Sequence, residues 1–132
     1  TCALPIYPVM EQNNAIYREQ SLLVQELAEK SDCVIVGRSA DYILRDKKPL
    51  RLFIYADMES RMERCRKRAP EQEHFTDKEL RRHIQDVDKR RSKYYQFFTG
   101  QTWGEKLNYD LCINTSGANI EDLVKVIAKL VK

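Results

Sequence analysis

Glycine is scarce, with four residues in 132. They form no GxxxxGK[ST] run and no other glycine-rich loop, so no segment of this sequence is built to cradle a triphosphate on backbone amides. The four cysteines, Cys2, Cys33, Cys65 and Cys112, form no CxxC pair, and none has a histidine at zinc-site spacing. That argues against a zinc module or a dithiol redox motif. Cys33 and Cys112 lie inside apolar runs and are expected to act as small core hydrophobes. This usage suits a reducing, cytoplasmic compartment. No apolar run approaches the ~20 residues of a membrane-spanning helix. The start, TCALPIYP, has no charge, two prolines and no Met, and does not resemble a signal peptide. The expectation is an N-terminally truncated chain: an irregular, partly foreign segment over 1–12, then one domain over 13–132.

Neither sign of charge dominates, with 23 basic against 20 acidic residues and a net charge of +3. The distribution is uneven. Between Arg61 and Lys93 twelve basic residues meet seven acidic ones, giving that segment +5 and the remainder −2. An anionic ligand is expected nearby.

Apolar periodicity predicts a helix over Asn14–Lys30, with Ile16, Leu23 and Leu27 on one face. Cys33–Val36 is short and β-branched, and Leu50–Tyr55 and Tyr109–Asn114 are similarly apolar, so three strands are predicted. Asp57 is a candidate N-cap for a helix whose apolar residues are Met58, Met62, Cys65 and Ala69, closed by Pro70. Thr76-Asp77-Lys78-Glu79 reads as a capping box opening a helix with Leu80, Ile84 and Val87 on its apolar face, extended by Tyr94. A last helix from Asn119 carries the stripe Ile120, Leu123, Val124, Ile127, Leu130 and Val131. The order α, β, β, α, α, β, α, with near-continuous apolar strands, predicts an α/β fold: a parallel sheet covered on both faces by helices.

Ligands of such sheets bind beyond the carboxyl ends of the strands. Gly37-Arg38 follows the first strand. The simpler account is a turn glycine and a surface arginine; the functional one is an arginine fork delivered to a phosphate or carboxylate. Thr115 and Ser116 follow the last strand as turn residues whose hydroxyls face the same edge. Asp88 and Arg91, three apart, share a helix face, either as a solvated pair or as an oriented phosphate ligand. The same two readings hold for the basic helix Arg61–Arg68. Trp103 reads better as a core plug than as a base-stacking platform.

Taken in order, VIVGRSADYIL, LRLFIYA, DKRRSKYYQFFTG, TWG and NYDLCINTS resemble the cytidylate kinase-like family of nucleoside monophosphate kinases, from about Asn13 to Lys132. The resemblance implies a P-loop kinase fold and transfer of the γ-phosphoryl of ATP, with Mg²⁺, to CMP or dCMP. It implies that Arg38, Asp41 and Asp88 bind the nucleoside monophosphate. It implies that Arg91 and Arg90 stabilise the transferred charge, and that Arg61, Arg64 and Lys89 serve the lid and the phosphates. No protein metal ligand is implied.

The sequence also departs from bacterial cytidylate kinases. Ile84 stands where they carry an arginine, and Ser39-Ala40-Asp41 differs from their continuation after Gly-Arg. The phosphate-loop unit is missing from the sequence, so this chain alone is expected to be inactive. The competing expectation is a non-catalytic module binding nucleotides or nucleic acid through its basic helices, with a structural pseudokinase domain as a third. Aromatic residues interleave poorly with the basic ones, so nucleic acid is not the expected partner, and neither is a membrane. Oligomeric state is not legible in the sequence.

Overall fold

In the computed structural model, residues 10–69 and 74–131 are described. Helix α1 spans Met10–Lys30 and α2 spans Ala40–Ile43; strand β1 spans Leu52–Tyr55. Helices α3, Met58–Arg68, and α4, Asp77–Thr99, lead to β2, Leu111–Asn114, and to α5, Ile120–Ala128. The boundary expected at residue 12 falls inside α1. Residues 1–9 of the segment read as irregular, and Pro70, lie outside the described residues.

The local signals for α3 and α4 hold in detail. The Asp57 carboxylate accepts from the Ser60 amide at 2.7 Å and starts α3. Thr76 and Glu79 form the reciprocal capping box of α4, at 3.1 and 3.2 Å. Each satisfies donors that a helix start leaves orphaned. At its other end α4 stops on Gly100, φ 71°, in the left-handed conformation that glycine adopts without a Cβ penalty.

The two strands pair in parallel, Leu52 opposite Leu111 through Tyr55 opposite Asn114. A parallel pair needs a long crossover, and α3 and α4 supply it. Arg51 and Asp110 pin the start of both strands: the Asp110 carboxylate accepts from the Arg51 amide at 2.7 Å and from its guanidinium at 3.2 Å.

Cys33–Val36 is not a strand. It belongs to no helix or sheet among the described residues. Ile35 packs against the Val24, Ala40 and Leu44 cluster between α1 and α2, while Val34 and Val36 are 94% and 87% exposed. β-Branched residues suit a strand, but a strand also needs a neighbouring ladder. Among the described residues none lies beside this segment.

The core sits between helices rather than around the sheet. Met62 and Cys65 of α3 meet Leu80 and Ile84 of α4, with Met58 and Phe75 at the margin. Val87 and Tyr95 continue the buried face of α4, so Tyr95 rather than Tyr94 takes the inward position. Tyr94 instead joins Phe98 and Tyr17, whose ring stacks on Phe98 at 4.2 Å and ties α1 to α4. No residue of β1, β2 or α5 is fully buried. Cys33 and Cys112 are exposed, not core hydrophobes. The apolar stripe of α5 is present but mostly uncovered among the described residues: Leu123 and Ile127 are half-buried and the rest exposed. Periodicity marks which face can be buried; burial itself takes a neighbour.

Candidate functional site

The carboxyl edge of the sheet is where Tyr55 and Asn114 end the paired strands. The next residues are Ala56 and Thr115, and both line a cleft of about 190 Å³. Arg61, Arg64 and Arg68 reach it from α3, and Asp88 and Arg91 reach it from α4. Positions 61, 64 and 68 are spaced i, i+3, i+7 and share one stripe of the helix. Met62, Cys65 and Ala69 lie one residue on and are buried, which fixes the rotation of α3 and turns the arginines to the cleft.

Asp88 is paired across helices, with Arg61. Its carboxylate accepts two hydrogen bonds from Arg61, at 2.7 and 2.8 Å, joining α3 to α4 in a fork-to-fork pair. The side chains are 17% and 25% exposed, so this pair is drier than an ordinary surface bridge. The other ion pairs nearby, Arg66 with Asp77 and Lys67 with Glu63, have at least one well-hydrated partner.

Thr115 sets Arg64. It is buried, and its hydroxyl donates to the Tyr55 carbonyl at 3.0 Å while accepting from Arg64 Nη1 at 2.9 Å. Its carbonyl accepts from Arg64 Nη2 at 2.6 Å. One residue on, the Ser116 hydroxyl accepts from the Asp57 amide at 2.7 Å. The hydroxyls expected at this edge are therefore fastening the ends of β1 and β2 to α3. The Ser60 amide, with help from Ser116 and from the charge of Arg64, holds the Asp57 carboxyl below its usual range.

Phe53, Tyr55 and Trp103 also line the cleft. Phe53 and Tyr55 are two apart in β1 and so share a face of the strand. Trp103 is half-buried and meets Phe53 in a T-shaped contact, with centroids 5.3 Å apart. It is a cleft wall rather than a core plug.

The structure brings together Arg61, Arg64, Asp88 and Arg91 from the expected site residues. Arg38, Asp41, Lys89 and Arg90 are not among the residues lining the cleft. Arg38 is exposed and belongs to a run of three left-handed residues, Gly37, Arg38 and Ser39, with φ of 69°, 61° and 54°. Its charge falls near Tyr94, where it opposes the rise that burial imposes on that phenol. Asp41 accepts from the Tyr95 hydroxyl at 2.6 Å and ties α2 to α4. Burial first, and then that bond to Asp41, push the Tyr95 hydroxyl far above its ordinary pKa, so it remains a donor. Lys89 and Arg90 are exposed on α4.

Arg68 is not singled out within the basic helix by the sequence, and Phe53 and the Arg64–Thr115 contact are not anticipated from it. The i, i+3, i+7 spacing of Arg61, Arg64 and Arg68 was the available signal for the first. Nothing local connects Arg64 with Thr115, 51 residues away.

No group of three or more His, Cys, Asp or Glu side chains gathers among the described residues in a way that could hold a metal ion. The donor set is cationic and suits anions. No helix among them is long and apolar enough to cross a membrane.

An arginine-lined cleft at the carboxyl edge of parallel strands flanked by helices marks an α/β protein whose cleft is chemically suited to an anion. The profile of the cytidylate kinase-like family matches residues 6–117, and the chain belongs to that family. Among solved structures it is similar to an uncharacterized protein from Eubacterium ventriosum ATCC 27560, with 28% identity and a TM-score of 0.77. The similarity covers 96% of this chain and 68% of that one. No curated protein matches.

Proposed function

We propose that this chain is part of a cytoplasmic nucleoside monophosphate kinase that moves the γ-phosphoryl of ATP, with Mg²⁺, onto CMP or dCMP. The observation that carries the reading is the convergence of Arg61, Arg64, Arg68 and Arg91, with Asp88, on one cleft at the strand ends. Phosphoryl transfer asks little covalent chemistry of the protein; it asks for positioning and for positive charge around the equatorial oxygens. Arg91, seconded by Arg90, stabilises the charge on the transferred group. Arg61, Arg64 and Lys89 serve the donor phosphates and the lid. Asp88 orients Arg61 and receives the acceptor; Arg38 and Asp41, which lie outside the lining of the cleft, are assigned to the acceptor on the family resemblance alone. The described residues offer Mg²⁺ no cage of their own, so no step is assigned to them through the ion. A magnesium ion in such sites is commonly held through substrate phosphates.

The sequence carries no glycine-rich phosphate loop. The 132-residue chain by itself therefore turns over no ATP with CMP; turnover in a coupled assay would refute this. The binding reading is tested separately, by calorimetry of CMP, dCMP and UMP on wild type, Arg91→Ala and Arg91→Lys. Arg91→Ala is expected to weaken CMP about tenfold or more without loss of fold, and Lys to restore it only in part, because a point charge lacks the bidentate fork. Unchanged CMP affinity in Arg91→Ala would reduce Arg91 to a helix-surface charge. Failure to bind any monophosphate, with steeply salt-dependent binding of an oligonucleotide, would turn the reading to a nucleic-acid module.

A further inference from the structure

The cleft is not simply a basic patch. Despite its arginines its wall is mostly apolar, through Phe53, Ile54, Tyr55, Ala56 and Trp103. A bare phosphate would leave that half of the wall unused. The pairing of arginine forks with an aromatic wall in one cleft suits a ligand with an anionic end and a flat, π-faced end.

Trp103 is the most suitable of these side chains. It is half-buried, and the T-shaped contact with Phe53 engages one face or one edge of the indole, not both faces. It is also held in place. Gly104 takes φ +83°, and a Cβ there would come within 3.3 Å of the Phe53 ring. Glycine takes this left-handed conformation without strain and lets the chain after Trp103 lie close to that ring. The Gly104 amide donates to the Tyr109 hydroxyl at 3.3 Å, and the Asn108 side-chain amide donates to the Thr102 carbonyl at 2.9 Å. The turn is thus stitched across itself on both sides of Trp103. A wall fixed in advance loses little freedom when a ligand lands on it.

Resting on the nucleotide reading above, we propose that Trp103 is the base-binding wall of the arginine cleft: its indole contacts the nucleobase of the ligand whose phosphate the arginines receive. Arg91 and its neighbours then govern affinity for the phosphate end, and Trp103 governs the dependence on a base. Stacking of one base on an aromatic side chain is worth roughly tenfold or more in affinity.

The chain contains one tryptophan, so its fluorescence reports Trp103 alone. The test titrates the intact protein with CMP, with ribose 5-phosphate and with inorganic phosphate, followed by tryptophan emission and, independently, by calorimetry. CMP is expected to quench the emission, while ribose 5-phosphate binds with little change in it. Trp103→Ala is expected to weaken CMP about tenfold and leave ribose 5-phosphate unaltered, and Trp103→Phe to keep most of the CMP affinity. Circular dichroism checks that both variants are folded; should Trp103→Ala fail to fold, the wild-type quench and Trp103→Phe decide. The proposal is overturned if CMP binds wild type without changing the emission, or if Trp103→Ala binds CMP as well as wild type. If such CMP binding is still lost in Arg91→Ala, only the wall is refuted and the nucleotide reading stands. If wild type binds neither CMP nor ribose 5-phosphate, both fall.

Discussion

Separating Arg61 from Asp88 is expected to loosen the joint between α3 and α4, beside the cleft. The two charge-assisted bonds measure 2.7 and 2.8 Å, and the side chains are 17% and 25% exposed. A fully exposed pair would contribute about 0–1 kcal/mol. Breaking a fully buried one by removing a single partner costs about 3–5 kcal/mol, because the survivor keeps its desolvation without its partner. This pair lies between those limits, so Arg61→Ala and Asp88→Ala should each cost about 2 kcal/mol. The double variant strands no charge, so its cost should fall short of the sum by about 1–2 kcal/mol. Urea denaturation of the four proteins at 25 °C reads this directly. With a slope of about 1–3 kcal/mol per M for a small protein, each single change moves the midpoint down by about 1 M. Screening by salt should do little to the coupling, since the pair is partly shielded from solvent. A coupling within about 0.3 kcal/mol of zero would show two independent surface charges and refute the reasoning.

Ile84→Ala, at a 1% exposed position, should cost about 2–5 kcal/mol, whereas Val34→Ala, at 94% exposure, should stay within about 0.5 kcal/mol; similar urea midpoints for the two would contradict the placement of the core. Gly104→Ala forces a Cβ against Phe53 at φ +83° and should destabilise by at least about 1 kcal/mol; a neutral or stabilising result in a thermal melt would show that the turn is not held against that ring. The Asp57 carboxyl is held below its usual value of 3.8, so the folded state releases its proton more readily than the unfolded chain. Its contribution is complete above that value and is lost as pH falls through the depressed one. Asn also caps helices but does not titrate, so Asp57→Asn should leave stability near neutrality almost unchanged and flatten its decline below about pH 4; an unaltered acid limb would disprove the role.

Much of the architecture follows from short-range signals. Thr76 and Glu79 are three residues apart, and the capping box they make depends only on that spacing and on the amides a helix start exposes. Met62, Cys65, Leu80, Ile84 and Val87 are legible as buried because a helix repeats its faces every 3.6 residues whatever it packs against. The order of residue types also carried the family, which rests on a pattern along the chain rather than on any one contact. Tertiary structure decided what those faces meet. Cys33–Val36 has the composition of a strand, yet a strand exists only through hydrogen bonds to a neighbour, and composition does not specify one. The stripe of α5 is as regular as that of α4 but is mostly uncovered among the described residues, since an apolar face states a capacity for burial and not a partner. Asp88 looked paired with Arg91 because three residues on a helix are neighbours. Its bidentate partner is Arg61, 27 residues away, brought within 2.7 Å by the packing of α3 on α4. Arg64 meets Thr115 across 51 residues because parallel pairing sets the end of β2 beside that of β1, where α3 begins. The types of side chain that can hold an anion are written along the sequence; which of them share one cleft depends on helix rotation and strand register, and both are set by contacts between distant residues.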